Sequence, residues 1–277
     1  MVNPLAKHFR QPQIYLKLPS KGQWYPAGSL DMPATGELPV YPMTAKDELT
    51  LKTPDALLNG QATVDVIQSC LPNIKNAWQV PSVDIDAILI AIRQATYGPE
   101  MDLISVCTHC GNKNEHTLNL TALADQIKLP NIEETIKIKD LELFLRPQNY
   151  EEFNRASLEN YEQQRIISVV NDTTLSEEEK LTRFNQLFKK LLTLTVQTVT
   201  SSVGAIKMAD GTVVDNREFL DEYFTNCDKD VWNAVKERIS QLSDQNPLKK
   251  VDVVCDNEEC LKTYSTPLIF EAASFFA

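Results

Sequence analysis

The sequence predicts an α+β fold that is mainly helical, with two β-hairpins and a further small β unit made from both halves of the chain. Three observations lead to this prediction. Long stretches repeat apolar residues at helical spacing, two short stretches alternate around turn-forming pairs, and two cysteine pairs each follow a strand-like run. The length of 277 residues is enough for one large domain or two ordinary ones.

The composition is that of a folded, acidic protein. Hydrophobic residues make up 43% of the chain, charged residues 23%, and the formal net charge is −11. Binding to a phosphate backbone or to an anionic membrane surface depends on basic side chains, so this charge disfavours both kinds of partner. It suits a protein that contacts other proteins, although solubility alone also explains it.

The sequence predicts neither a membrane span nor a signal peptide. No apolar run is long enough to span a bilayer, and the opening "MVNPLAKHFRQPQ" lacks the apolar core of a signal peptide. We therefore expect the protein to stay in a cytoplasm, where thiols remain reduced. In that compartment the six cysteines are better explained as metal ligands or buried thiols than as disulfides.

Residues 1–40 are predicted to form an extended N-terminal arm with one brief strand, because the segment is rich in proline, glycine and polar residues. Such an arm can add a strand to the sheet edge of a partner. The alternative is a strand that packs on its own domain. The candidate partner-binding residues are Ile14, Leu16, Leu18, Trp24 and Tyr25.

Residues 41–130 are predicted to be a helical region that ends in a cysteine-pair hairpin. A short helix is expected in "KTPDALLNG", with Thr53 as its cap, and a second in "ATVDVIQSC", with Cys70 as a buried thiol. The strongest pattern is "PSVDIDAILIAIRQATYGP". There Ser82 is the N-cap candidate, Asp84 is expected in a solvated first turn beside Asp86, and Gly98 ends the helix. One face is predicted to be core: Ile85, Ile88, Leu89, Ile92 and Thr96.

Residues 131–248 are predicted to be an insertion of hairpins and helices. A hairpin is expected at 132–146 around Lys139–Asp140, followed by a helix that runs from a capping box at Asn149 and Glu152 to about Val170. A second capping box at Ser176 and Glu179 begins another helix. Its apolar stripe is predicted to be core: Leu181, Phe184, Leu187, Phe188, Leu191 and Leu192.

The second half of this insertion contains another hairpin and two helices. Asp210–Gly211 is the favoured pair for a type I′ turn, so a hairpin is expected at 203–214. A third capping box, Asp215 with Glu218, precedes helices at about 216–226 and 229–243, and Cys227 between them is expected to be structural. The side chains predicted to face inward are Phe219, Tyr223, Val231, Trp232, Val235 and Ile239.

The two cysteine pairs predict a metal site. Cys107 and Cys110 follow "DLISV" in a C-x-x-C-G motif, and Cys255 and Cys260 follow "KVDVV" in the last segment, 249–277. In a zinc ribbon two hairpin turns each offer a pair of thiolates, and the metal joins the turns. The predicted β unit is therefore zinc-ribbon-like, with 249–277 completing the hairpin that ends the 41–130 region.

Four residues separate the cysteines of the second pair, so this half of the site needs a different turn from the first half. His109 and His116 are substitute ligands if one cysteine is not available, and four thiols without a metal are the alternative to a site. A site closed by four protein ligands leaves no open coordination position. The predicted zinc is therefore structural.

No catalytic motif is present in the sequence. It contains no G-x-x-x-x-G-K-[ST] loop, no G-x-G-x-x-G and no G-x-S-x-G. A cysteine of the first pair with His109 or His116 could be considered a nucleophile and base, but the C-x-x-C-G context favours metal. The sequence therefore predicts a protein that is not an enzyme, and its charge disfavours a zinc-ribbon nucleic-acid binder.

Several strings resemble one known family. "FRQPQIYLKLPSKGQWYP", "PMTAKDELTLKTPDALLNG", "VIQSCLPNI", "DAILIAIRQATYG", "CTHCGNKNEHTLNL" and the closing "CDNEECLKTYSTPLIFEAASFF" are similar to the baseplate hub assembly proteins of contractile-tailed phages of the T-even type. The resemblance covers residues 9–120 and 200–277. Family members carry C-x-x-C in the last block, where this chain has C-x-x-x-x-C.

The resemblance implies a virus-encoded protein that acts in building the baseplate hub, with other baseplate and tail proteins as partners. It leaves two roles open. The protein is either a chaperone that promotes hub assembly in the host cytoplasm, or a structural hub subunit that stays in the virion. The expected cofactor is a structural zinc held by Cys107, Cys110, Cys255 and Cys260.

Overall fold

The computed structural model describes residues 4–53, 60–155, 176–245 and 250–268, together with Ile166, Leu248 and Phe275. Contacts divide the chain into two compact units, residues 1–130 with 244–277 and residues 131–243. The chain leaves the first unit after residue 130 and returns to it at residue 244. The four-segment division of the sequence stays a prediction, because a division into two units does not test its boundaries.

The architecture is α+β, as predicted, with small antiparallel sheets and more residues in helices than in strands among the described residues. In chain order up to residue 130 the elements are β1 (Ile14–Leu16), β2 (Leu38–Val40), α1 (Ala45–Leu51), α2 (Gln61–Cys70), α3 (Ser82–Tyr97), β3 (Glu100–Val106), β4 (Lys113–Asn119) and α4 (Leu120–Ala124). Short 3-10 helices occur at Pro4–His8 and Ala77–Gln79.

The remaining elements follow from residue 131 onward. In the second unit they are β5 (Ile136–Ile138), β6 (Leu141–Leu145), α5 (Glu177–Ser201), β7 (Val203–Met208), β8 (Val213–Val214), α6 (Arg217–Asn226) and α7 (Lys229–Asp244). The first unit is completed by β9 (Lys250–Val254) and β10 (Thr263–Pro267). The helix predicted in "TPDALLNG" and the predicted helix end near Val170 lie outside the described residues.

Helix α3 is the centre of the first unit. It contacts β1, β2, α2 and α4, and its residues from Ile85 to Ile92, apart from Asp86, are all buried. This burial confirms the predicted core face and extends it around most of the helix. Gly98 ends α3 with a φ of 95°, a backbone conformation that glycine adopts without strain. Cys70 is fully buried at the end of α2, as expected for a small apolar side chain.

Two expectations about the start of α3 are wrong. Pro81 is the N-cap, and Ser82 is the first helical residue rather than a capping side chain. Asp84 does not lie in a solvated turn but is completely buried. The reason is that the N-terminal segment folds back over the helix start. The backbone N–H and the hydroxyl of Ser20 donate to the Asp84 carboxylate at 2.8 and 2.5 Å, and the Tyr25 hydroxyl donates at 3.1 Å.

The core of the second unit forms where helices pack on a four-stranded antiparallel sheet in the order β5-β6-β7-β8. Its buried residues are Leu143, Leu145, Val199, Val203, Ile206, Leu220, Phe224, Val231 and Val235. Both predicted hairpins are present, β5–β6 around Lys139–Asp140 and β7–β8 around Asp210–Gly211. The capping boxes at Asn149 and Ser176 are confirmed by reciprocal hydrogen bonds.

Several details of this unit differ from the prediction. The β7–β8 turn is not type I′: Gly211 donates to the Met208 carbonyl and alone has a positive φ, which is the pattern of a three-residue loop with a glycine bulge. Asn216, not Asp215, caps α6. Phe219 is 60% exposed rather than inward-facing. Tyr223, Trp232 and Ile239 pack partly buried against the core, as expected.

The apolar stripe of α5 is not core. Of the six residues predicted to be buried only Leu187 is, and Leu181, Phe188 and Leu192 are 61%, 44% and 52% exposed. Helix α5 has 25 residues, and its buried residues are Leu187, Leu194 and the last three, Val199, Thr200 and Ser201. Most of its buried positions therefore lie at the end that leads into β7, and the stripe before them stays largely exposed.

Candidate metal centre

Two antiparallel hairpins of the first unit carry the cysteine pairs. In the hairpin β3–β4, Val106 pairs with Lys113, and in the hairpin β9–β10, Val254 pairs with Thr263. Cys107 and Cys255 therefore occupy the same position, the first residue after the leading strand. The alternating side chains of each strand explain this placement, because the buried positions of β9 lead directly to the buried Cys255.

The first cysteine turn is tight. The Gly111 N–H donates to the Cys107 carbonyl at 2.9 Å, and the Cys107 N–H donates to the Asn112 carbonyl at 2.9 Å. Gly111 has a φ of 75°, so its lack of a Cβ allows the left-handed conformation that closes this turn. The C-x-x-C-G motif thus brings both thiols to one side of the hairpin end.

The second cysteine turn is wider by two residues. Here the Cys255 N–H donates to the Lys262 carbonyl at 3.0 Å, and the Leu261 N–H donates to the Asn257 carbonyl at 3.0 Å. The Asn257 carbonyl accepts from the residue four positions later, as the Cys107 carbonyl does in the first turn. Leu261, with a φ of 48°, takes the place of Gly111. The different turn required by the C-x-x-x-x-C spacing is therefore this longer loop, and it still delivers Cys260.

The four sulfur atoms form one cluster. The Sγ atoms of Cys107, Cys110, Cys255 and Cys260 all lie within 4.8 Å of one another. Cys107 is 3.9 Å from Cys260 and Cys110 is 3.6 Å from Cys255, so each contact joins the two hairpins. These distances exceed the ~2.05 Å of a disulfide. They are close to the ~3.8 Å between sulfur atoms that bind one tetrahedral zinc at ~2.3 Å. The cluster could therefore hold a metal ion.

Neither neighbouring histidine belongs to the cluster. The His109 ring lies beside the Thr263 carbonyl with Nε2 at 3.4 Å from the oxygen, and His116 Nε2 lies 3.5 Å from the Tyr264 hydroxyl. The substitute ligands considered from the sequence are thus not needed to complete a set of four. Among the cysteine, histidine and acidic side chains that the structure describes, the four cysteines are the group whose ligand atoms lie close enough together to hold a metal ion.

The surroundings change the acidity of the buried thiols in opposite directions. Burial raises the pKa of Cys255, because a buried thiolate loses its hydration. Burial acts in the same direction at Cys107, but backbone N–H groups of His109 and Cys110 donate to its sulfur. Together with the other thiols, they hold the pKa of Cys107 well below its ordinary value. Of these two buried thiols Cys107 is therefore the more acidic, and the thiolate is the form that binds metal.

A buried polar network, which was not predicted from the sequence, also joins the two hairpins. The Tyr264 hydroxyl lies 2.6 Å from the Ser105 hydroxyl and accepts from the Asn114 side chain at 2.8 Å. The Asn114 side-chain oxygen in turn accepts from the Asp256 N–H at 3.0 Å. All three side chains are at least nine-tenths buried. Period-two alternation marks the Ser105, Asn114 and Tyr264 positions as inward-facing, but their pairing spans about 150 residues of sequence.

Removing the glycine of the first turn and introducing one in the second are expected to change the unfolding free energy differently. A Cβ added at Gly111 would meet no heavy atom within 4 Å, so Gly111→Ala is expected to cost only the left-handed strain, about 1 kcal/mol of unfolding free energy. Leu261→Gly removes similar strain from a side chain that is 63% exposed, and should not lower stability. Denaturant unfolding of the metal-loaded protein measures both. Equal losses in the two variants would show that the turn geometry is not as described.

Some of the candidate partner-binding residues make contacts within their own unit. Strand β1 pairs with β2, and Leu18 is only 3% exposed. The segment therefore forms a strand that packs on its own domain, which was the alternative to a free arm. The Tyr25 hydroxyl is bonded to Asp84. Ile14 and Leu16 are half-buried and Trp24 is 37% exposed, so these three retain surface for a partner. Their role in partner binding stays a prediction.

Arg10 fastens the beginning of this segment to the first unit. Its guanidinium donates to the Ser69 carbonyl at 2.6 Å, to the Ser69 hydroxyl at 2.8 Å and to Asp47 at 3.3 Å.

No helix among the described residues combines the length and the apolar character that crossing a membrane requires.

Together these features define a class: an α+β protein whose first and last hairpins meet at a four-cysteine cluster able to hold a metal, with an inserted second unit. Within this class the chain belongs to the family of T4 bacteriophage base plate proteins, whose model matches residues 11–277. Searches of curated proteins and of solved structures found no match. The resemblance seen in the sequence is thereby confirmed at the level of a phage baseplate protein, which associates the chain with the phage tail.

Proposed function

We propose that the chain is a chaperone that promotes assembly of the baseplate hub and that its four-cysteine cluster holds a structural zinc. The family match over residues 11–277 carries this proposal, because it places the chain among baseplate proteins. The finer assignment to the hub is supported by the resemblance of "TPDALLNG", "RQATYG" and the closing cysteine block to hub assembly proteins.

The choice of zinc is supported by the ligands and their separations. Four thiolates suit a borderline-soft ion without geometric preference of its own, and sulfur separations of 3.6 and 3.9 Å suit a tetrahedral site. The residues that would hold it are Cys107, Cys110, Cys255 and Cys260. Bound there, zinc would cross-link the first and last hairpins of the first unit.

A role without catalysis is part of the proposal. Four protein sulfurs fill a tetrahedral site, so no coordination position is left for a substrate or an activated water. Replacing Cys110 with alanine distinguishes this role from a thiol-based enzyme. The proposal expects the hairpin unit to lose its fold, as followed by circular dichroism, whereas a nucleophile would lose activity in a protein that stays folded.

The alternative is a structural hub subunit that remains in the particle. Quantitative mass spectrometry of purified virions separates the two roles. The chaperone role predicts that the chain is present in infected cells and absent from virions, whereas a fixed number of copies per tail would establish the subunit role instead.

Partner identity is tested by co-expression with each tail protein of the source virus, followed by affinity capture. We expect capture of a baseplate hub protein, and a larger soluble yield of that protein when the chain is present. Replacing Trp24 with serine tests the exposed part of the N-terminal segment, with the equally exposed Phe144→Ser in the second unit as the matched control. A chain that captures no tail protein and changes no yield would contradict the proposed role.

A further inference from the structure

Helix α5 presents a continuous apolar stripe to solvent. Leu181, Phe188 and Leu192 are between 44% and 61% exposed, and the half-buried Phe184 stacks on Phe188 with ring centroids 5.7 Å apart. Spacings of three and four residues place these side chains in one row along the helix. Exposed large apolar groups arranged in a row indicate a contact surface, whereas scattered ones need no explanation.

The charges of α5 fall into two groups along the helix. Glu177, Glu178 and Glu179 occupy the first turn, and the rest of the helix contains no acidic residue but four basic ones, in a chain whose net charge is −11. Glu178 and Lys189 are exposed and lie eleven residues apart, just over three whole turns, so they share one flank of the stripe. At 1.5 Å per residue they are about 16 Å apart, too far to pair within one helix.

We propose that this stripe binds a second copy of the chain through antiparallel packing of the two α5 helices around a two-fold axis near Phe184. Glu178 lies six residues before Phe184 and Lys189 lies five after it. The axis therefore places Glu178 of each copy beside Lys189 of the other. The same alignment sets Leu181 of each copy beside Phe188 of the other, so apolar and charged contacts agree on one register.

Charge complementarity identifies a second copy of the chain as the partner that binds the stripe. Lys189 beside the stripe needs an acidic partner, and Glu178 of an antiparallel copy supplies one at the required distance along the helix. A parallel copy would set Glu178 against Glu178 and Lys189 against Lys189, so the flanks also select the orientation. Because a single pair of helices buries less than the about 1,600 Å² of a standard interface, the dimer is expected to be weak, with a dissociation constant on the order of 10 µM.

Sedimentation equilibrium of the full-length, zinc-loaded chain tests this proposal over a concentration range of about a hundredfold around that constant. A reversible monomer–dimer equilibrium is expected. Phe188→Ser should abolish it, whereas Phe219→Ser, which alters an even more exposed phenylalanine on α6, should leave it unchanged. A chain that is monomeric throughout the range overturns the proposal. This outcome includes the case in which the stripe binds an acidic helix of another tail protein and not a second copy.

A charge exchange tests the register. Glu178→Lys and Lys189→Glu are each expected to weaken dimerisation about tenfold, because each sets like charges against one another at two symmetric positions. Combining the two substitutions restores opposite charges and should recover most of the affinity. Loss of the acidic residue in the first helical turn is common to Glu178→Lys and the double variant, so recovery cannot come from helix stability. A double variant at least as weak as both single variants overturns the antiparallel register.

Discussion

Replacing Cys107 and Cys260 with serine is expected to abolish metal binding and to unfold the two-hairpin part of the first unit. The binding free energy of a structural zinc held by thiolates is about 10 kcal/mol or more at neutral pH, whereas a whole domain is stable by about 5–15 kcal/mol. The metal is therefore expected to supply most of the stability of the hairpins. Removing one ligand from each hairpin should leave them without a common attachment.

Metal content and backbone hydrogen exchange measure the two parts of this prediction. The double variant should contain no zinc, and the amides of β3, β4, β9 and β10 should lose protection. Cys227→Ser is the matched control, because that cysteine lies outside the cluster in the second unit and is also free. It should keep one zinc and full protection. A double variant with the exchange pattern of the wild type would show that the cluster does not hold the hairpins together.

Replacing Asp84 with alanine is expected to lower the unfolding free energy by about 3 kcal/mol. The substitution removes the acceptor for the Ser20 N–H, the Ser20 hydroxyl and the Tyr25 hydroxyl, and it leaves those donors at a buried position. Denaturant unfolding measures the loss. The control is Asp86→Ala, two residues further along the same helix and half-exposed, for which a loss below about 1 kcal/mol is expected.

The same carboxyl predicts a dependence on pH. Burial raises the pKa of Asp84 above its ordinary value, although the hydrogen bonds from Ser20 and Tyr25 oppose this shift. Between the ordinary and the raised pKa the folded protein binds one more proton than the unfolded chain, so stability falls as pH rises through this window. The difference in unfolding free energy between the wild type and Asp84→Asn isolates the contribution of the Asp84 carboxyl to this pH dependence. A difference that does not change with pH would contradict the assignment.

Local signals account for much of what the sequence predicts correctly. The periodicity of "DAILIAIRQATYG" defines α3, the Asp210–Gly211 pair marks a hairpin, and the capping boxes mark helix starts. The cysteine pairs were also predictable, because a strand followed by C-x-x-C-G is a local pattern. The longer second turn was not, since nothing in "CDNEEC" indicates that Leu261 adopts a positive φ.

The features that the sequence does not predict depend on contacts between distant residues. Asp84 is buried because its donors come from Ser20 and Tyr25, which precede it by 64 and 59 positions. Tyr264 meets Ser105 across 159 positions. For α5 the periodicity correctly identifies an apolar face, but periodicity contains no information about whether anything covers that face.

We propose above that one metal ion, held by cysteines from both halves of the sequence, closes the first unit of this baseplate protein. Zinc K-edge X-ray absorption of the purified chain, combined with metal quantification, tests it most directly. The claim predicts one zinc per chain with four sulfur ligands at about 2.3 Å and no nitrogen or oxygen ligand. A metal-free chain in which both cysteine hairpins are fully folded would contradict it.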